Sequence, residues 1–148
     1  MIDTEKSELK PEIEWAEDDY VFVKIEDSIV HAIYKKGVTI DLAAAKEMGQ
    51  SRRNFLKGRS YPGLADIRHV KLITKEARKY LEKEAIIEKE ESGVTAIAVL
   101  VKGRIGVFIA NIFMKFVKPR IPTKVFVTKE QALKWLQQFV QPNRELGN

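Results

Sequence analysis

The sequence predicts an α/β domain with a mixed, mostly parallel sheet and helices packed on it, in the order β-β-α-β-α-β-α-β-α. Three observations carry this. Two β-rich segments, 20–25 (YVFVKI) and 29–35 (IVHAIYK), flank Glu26-Asp27-Ser28, the pattern of a hairpin. Downstream, short apolar runs alternate with amphipathic stretches, as when strands are joined by packed helices. The run 95–101 (TAIAVLV) is almost wholly apolar, the mark of a central strand buried on both faces.

Length and composition set the frame. A chain of 148 residues with 45% hydrophobic residues is expected to form one globular domain. We expect an acidic flexible tail over 1–14, a domain over 15–141 and a short tail over 142–148. There is no cysteine, so there is neither a disulfide frame nor a thiolate metal site. The first residues, MIDTEKSELKPEIEW, lack the apolar core of a secretory signal. The longest apolar run, 105–114, is broken by Asn111 and is too short to span a bilayer. A cytoplasmic protein is expected. The net charge of +5 is unevenly distributed: residues 1–19 carry −6 and residues 20–148 carry +11. One reading is a solvated surface with a charged tail. The other is a basic body that meets an anionic partner, with the tail competing for the same surface.

Taken in order, Gly37 ends the second strand. Asp41 is placed to cap a helix over 42–57, and Gly58 closes it. Leu42, Ala45, Gly49 and Leu56 share one face of that helix, with Arg52 near its edge. The stretch 61–83 (YPGLADIRHVKLITKEARKYLEK) organises the rest. Pro62 and Gly63 lead into an apolar strand through Leu64, Ala65 and Ile67, with Asp66 inside it. Val70, Leu72 and Ile73 continue the apolar character. Thr74 stands at an N-cap position, Glu76 suits the first turn, and Ala77, Tyr80 and Leu81 give an inward stripe. The helix is expected to run on until Gly93.

A further helix is expected over 104–118. Arg104, Asn111, Lys115 and Lys118 form its narrow polar side, and the rest is apolar or small. That is more apolar surface than one sheet face covers. Phe108 and Ile112 are candidates for a second contact, most simply with the same helix of another copy. On that reading Phe108→Asp turns a dimer into a folded monomer. Pro119 and Pro122 then lead to a strand over 124–127. Thr128 and Gln131 form a capping box for the last helix, with Ala132, Leu133, Trp135, Leu136, Phe139 and Val140 facing inward.

Catalytic signals are weak. His31 and His69 have no ligand-type residue two, three or four positions after them, and His31 alternates with Ile29 and Ile33 as a packed strand residue. Gly58-Arg59-Ser60-Tyr61-Pro62 lacks the last glycine of a nucleophile elbow and precedes a strand. Gly103-Arg104-Ile105-Gly106 lacks the Lys-Ser/Thr of a phosphate loop. No enzyme, cofactor or metal is expected. Asp66 has two readings: a structural acceptor for Arg68, Arg78 or loop amides, or part of a ligand site at the carboxyl edge of the sheet.

The stretch from Ala65 to Arg78 resembles the STAS domain, the fold of the sporulation anti-sigma-factor antagonist. Asp66, Ile67, Val70, Leu72 and Ile73 fall on matching positions of its L-D-L-x-x-V-x-F-I-D-S-S-G-L strand. The family's phosphoacceptor serine falls at Lys75, and the aspartate before it at Thr74. The resemblance covers about 20–139. The whole chain looks more like an uncharacterised bacterial branch labelled STAS/SEC14-like, through Tyr61-Pro62, Asp66-Ile67-Arg68, Ala77-Arg78, Ala96-Ile97-Ala98-Val99, Pro122-Thr123-Lys124 and Ala132-Leu133 with Trp135-Leu136. The resemblance implies a STAS-like fold and a non-enzymatic regulatory or protein-interaction role without the serine switch. The candidate binding residues are Asp66, Arg68, Thr74, Lys75 and Arg78, with Phe108 and Ile112 on the second surface. The partner would be a protein or a second copy. An anionic or lipid ligand, as in a SEC14-like carrier of a small apolar molecule, is the alternative. Nucleic acid has only the basic body in its favour.

Overall fold

The computed structural model describes residues 13–87, 93–104, 106–107, 110–111 and 121–141, and side chains in the second helix as far as Leu81. Six strands form one sheet. An antiparallel meander opens it: β1 (Glu14–Glu17), β2 (Val21–Glu26) and β3 (Ile29–Tyr34). Asp27 and Ser28 at the β2–β3 turn have φ of 53° and 61°, the left-handed pair that lets a two-residue hairpin follow the strand twist. A short strand, β4 (Thr39–Ile40), precedes β5 (Tyr61–Asp66). After β6 (Leu72–Ile73) come β7 (Val94–Leu100) and β8 (Thr123–Phe126). The sheet order is β1-β2-β3-β5-β7-β8, and β3, β5, β7 and β8 are parallel. β4 and β6 form a separate parallel pair.

Three helices are described: α1 (Leu42–Leu56), α2 (Lys75–Ile87) and α3 (Lys129–Gln137). Each starts at a side-chain cap. Asp41 accepts from the Ala44 N–H at 2.8 Å, Thr74 from Ala77 at 3.2 Å and Thr128 from Gln131 at 3.3 Å. Thr74→Ala should therefore lower stability by about 1 kcal/mol, read as a shifted urea midpoint. An unshifted midpoint would mean that the cap contributes nothing. α1 ends with Lys57 in a left-handed conformation, followed by Gly58 at φ 80°.

The strand alternation divides the core in two. One sheet face brings Ile29, Leu64, Ala96, Ala98 and Leu100 under Ala132 and Leu136 of α3. The other brings Val30 and Tyr61 against Leu56 of α1. A third cluster joins α1 to α2 through Ala44, Ala45 and Ala77, with Ile40 beside them. The small side chains permit close helix approach, and this corrects the expected α1 face. Ala44 is buried where Leu42 was expected, and Leu42 is 37% exposed. In β7 the alternate residues Ala96, Ala98 and Leu100 are fully buried, and Thr95, Ile97 and Val99 are half-buried.

β1 was not expected. It pairs Trp15 with Lys24 and stacks Trp15 on Phe22, with ring centroids 5.7 Å apart. Most of the helix expected over 104–118 lies outside the described residues, Phe108 and Ile112 included.

His31 is the packed strand residue its alternation predicts, 3% exposed. Its Nδ1 is buried and meets no hydrogen-bond partner among the described residues. Burial holds the imidazole below its ordinary pKa, and the charges of Lys24 and Lys129 add to the shift; Glu26 opposes it. Such a group stays neutral in the fold while the unfolded chain takes up a proton near pH 6.5. Stability should thus fall as pH drops below about 6.5, and His31→Leu should flatten that decline in urea titrations. Equal slopes in the two proteins would exclude the histidine as the cause.

Candidate functional site

The candidate site follows from where β5 ends. Asp66 is the last residue of that strand and is 6% exposed. A carboxylate cannot be buried bare, and Arg68 answers it two residues on. The Arg68 guanidinium donates from Nε to Oδ1 at 2.9 Å and from NH2 to Oδ2 at 2.7 Å, and its backbone N–H donates to Oδ1 at 3.2 Å. Burial acts to raise the carboxyl pKa, but the bonds and charge of Arg68 outweigh it and hold Asp66 below the usual carboxylate range. The guanidinium and the backbone amide of Arg68 are thus the partners of Asp66, two of those the sequence offered.

This fork folds the chain over on itself after β5, and the β4–β6 pair then clamps the loop. Gly37 N–H donates to the His69 carbonyl at 2.8 Å, Lys71 to Val38 at 2.9 Å and Thr74 to Ile40 at 3.0 Å. Residues 67–74 are thus a tied surface at the carboxyl edge of the parallel strands. Ile73 turns inward against the α1–α2 cluster, while its neighbour Leu72 is 54% exposed. Ile13, Trp15, Leu42 and Val127 are the other large apolar side chains exposed among the described residues, and Leu72 is the one on this tied segment.

The exposed charges along 71–79 are mostly cationic, with Glu76 among them. Lys71, Lys75, Arg78 and Lys79 are exposed, and Lys36 stands next to the Gly37–His69 bond. Of the residues predicted from sequence, the structure brings Asp66, Arg68, Thr74, Lys75 and Arg78 to this one edge. Their roles separate: Asp66, Arg68 and Thr74 hold the backbone, and Lys75 and Arg78 face solvent.

Sequence reasoning missed Leu72, which reads as part of an apolar run. The missed signal is the short β-rich run Val38-Thr39-Ile40 after Gly37. It pairs with β6 and rotates Leu72 outward. The acidic leading block also changes meaning. Arg59 binds Glu14 at 2.7 and 2.6 Å, and Lys35 binds Glu17 at 2.8 Å. Asp18 accepts from the N–H groups of Tyr20 and Val21. Glu14, Glu17 and Asp18 are thus part of the fold, and residues 1–12 lie outside the described residues. Arg59 hydrogen bonding holds the Glu14 carboxyl below its usual pKa, with the guanidinium charge adding to it.

Among the described residues there is no group of three His, Cys, Asp or Glu side chains placed to hold a metal ion. No helix among them is long and apolar enough to cross a membrane.

The sequence model of the family described as "Domain of unknown function (DUF7793)" matches residues 23–140. The chain belongs to this family. Among solved structures, this DUF7793 chain is similar to an uncharacterized protein of the DUF3478 family from Shewanella loihica PV-4, which has a SpoIIAA-like fold. The two are 17% identical, and the match covers 84% of this chain and 92% of that one with a TM-score of 0.55. This agrees with the STAS resemblance: the DUF7793 chain has the SpoIIAA-like fold. No curated protein matches it.

Proposed function

We propose that the protein is a non-enzymatic interaction module of STAS-like type that docks a protein partner through the surface formed by residues 66–79. The observation that carries this is Leu72, 54% exposed on a segment clamped by the Asp66–Arg68 fork and the β4–β6 pair. A rigid exposed apolar residue can anchor a partner without an ordering cost. By the STAS resemblance Lys75 stands where that domain carries its phosphoacceptor serine, so docking here is not switched by phosphorylation at that position. The exposed charged groups of this surface are mostly cationic, Lys71, Lys75, Arg78 and Lys79 beside Glu76, which suits binding.

The test is photo-crosslinking in cells from a photoreactive residue at Leu72, with the exposed Asn54 near the far end of α1 as control. A protein adduct is expected from Leu72 alone, and it should fade when Lys75→Glu and Arg78→Glu are added. Equal adducts from both positions would defeat the reading. So would a small apolar ligand retained in native mass spectrometry and lost with Leu72→Asp.

A further inference from the structure

We infer that the partner's docking segment is acidic, with several carboxylates set around one large apolar side chain. This rests on the reading of the 66–79 surface as the docking face. Within 66–79 there are two carboxylates, and Asp66 is bound to Arg68, which leaves Glu76 against Lys71, Lys75, Arg78 and Lys79. On α2 the three cations Lys75, Arg78 and Lys79 span about 100° of arc, opposite the buried Ala77. Lys71 precedes Leu72 directly. Thr39 lies across from Leu72 in the β4–β6 register, and Lys36 adjoins the start of that pairing. Leu72 is thus an exposed apolar side chain on a segment whose exposed charges are mostly cationic. Its complement is an apolar anchor with an anionic rim.

A bilayer fits less well. A myristoyl chain alone binds membranes only marginally, and one leucine side chain is far smaller. In a protein interface, by contrast, one pocketed anchor among charged rim contacts is an ordinary arrangement.

The experiment selects random dodecapeptides on the folded wild-type protein, with Leu72→Asp as the counter-target. Expected are peptides rich in Asp and Glu around a single Leu, Phe, Ile or Trp. A synthetic peptide of that kind should bind at least about tenfold more weakly to Leu72→Asp and to Lys75→Glu, and its binding should fall with added salt. Leu72→Ser serves as the milder change, and circular dichroism checks that each variant is folded. Peptides that need Leu72 but are not acidic would overturn the inference and leave the docking reading standing. Peptides indifferent to Leu72 and Lys75, or none at all, would overturn both. In parallel, the protein is sedimented with phosphatidylcholine vesicles containing about 30% phosphatidylserine. Leu72-dependent sedimentation without peptide selection would make a bilayer the partner and overturn the inference.

Discussion

Gly93→Ala is expected to destabilise the protein by about 3 kcal/mol, combining left-handed strain with a clash. Gly93 has a φ of 75°, which alanine adopts only under strain. A Cβ built there would lie 2.7 Å from the Arg59 carbonyl oxygen and 2.7 Å from Leu56 Cδ1. The leucine tip can shift, but the carbonyl belongs to the backbone between α1 and β5. Gly93 also ties these pieces together, since its own carbonyl accepts from Tyr61 N–H at 2.8 Å. Gly103 is the matched control. It has a φ of 68° and nothing within 4 Å of a built Cβ, so Gly103→Ala carries the strain alone. It should lose only about 1 kcal/mol. Urea unfolding of the two variants separates the terms, and equal losses would show that the contact at Gly93 contributes nothing.

Leu136→Ala should lose about 3–4 kcal/mol, the range for a fully buried leucine whose surroundings cannot collapse. Leu136 is 0% exposed and sits with Ala132 over Ala96, Ala98 and Leu100. Ala96 and Ala98 cannot reach into the space, and Ile29, Leu64 and Leu100 are themselves held by packing in the same cluster. α3 packs on β5, β7 and β8 and is the described helix on that face. Loss of its anchor should loosen the whole face, and a lower urea midpoint is expected. Leu133→Ala, at a half-buried site on the same helix, should cost less. A smaller loss at Leu136 than at Leu133 would contradict this packing.

Much of the fold could be read from local pattern. The hairpin at Asp27-Ser28, the caps at Asp41, Thr74 and Thr128, and the buried alternation around His31 are each set by residues within a few positions of one another. Hydrogen bonds of caps and turns close over that range, so the sequence alone carries them. The Asp66–Arg68 fork is local in the same sense. It was legible as one of several pairings, because a buried carboxylate needs a donor and Arg68 is two residues away.

Pairing between distant segments was decided only by the tertiary structure. Glu14 reads as the end of the acidic tail, with no strand expected after it; Glu14–Glu17 becomes a strand because β2 has an open edge and Arg59, 45 positions away, receives Glu14. Leu72 reads as core. It turns to solvent because Thr39-Ile40 pairs with β6 and commits Ile73 to the inner side. Gly93 reads as a helix stop, yet the demand for glycine comes from Arg59 and Leu56. Leu72 and Gly93 are decided by partners more than 30 positions away and Glu14 by Arg59 as well as by β2, and neither periodicity nor propensity carries that information. The exposed leucine of the docking face, with the clamp that holds it, is therefore a product of the assembled sheet.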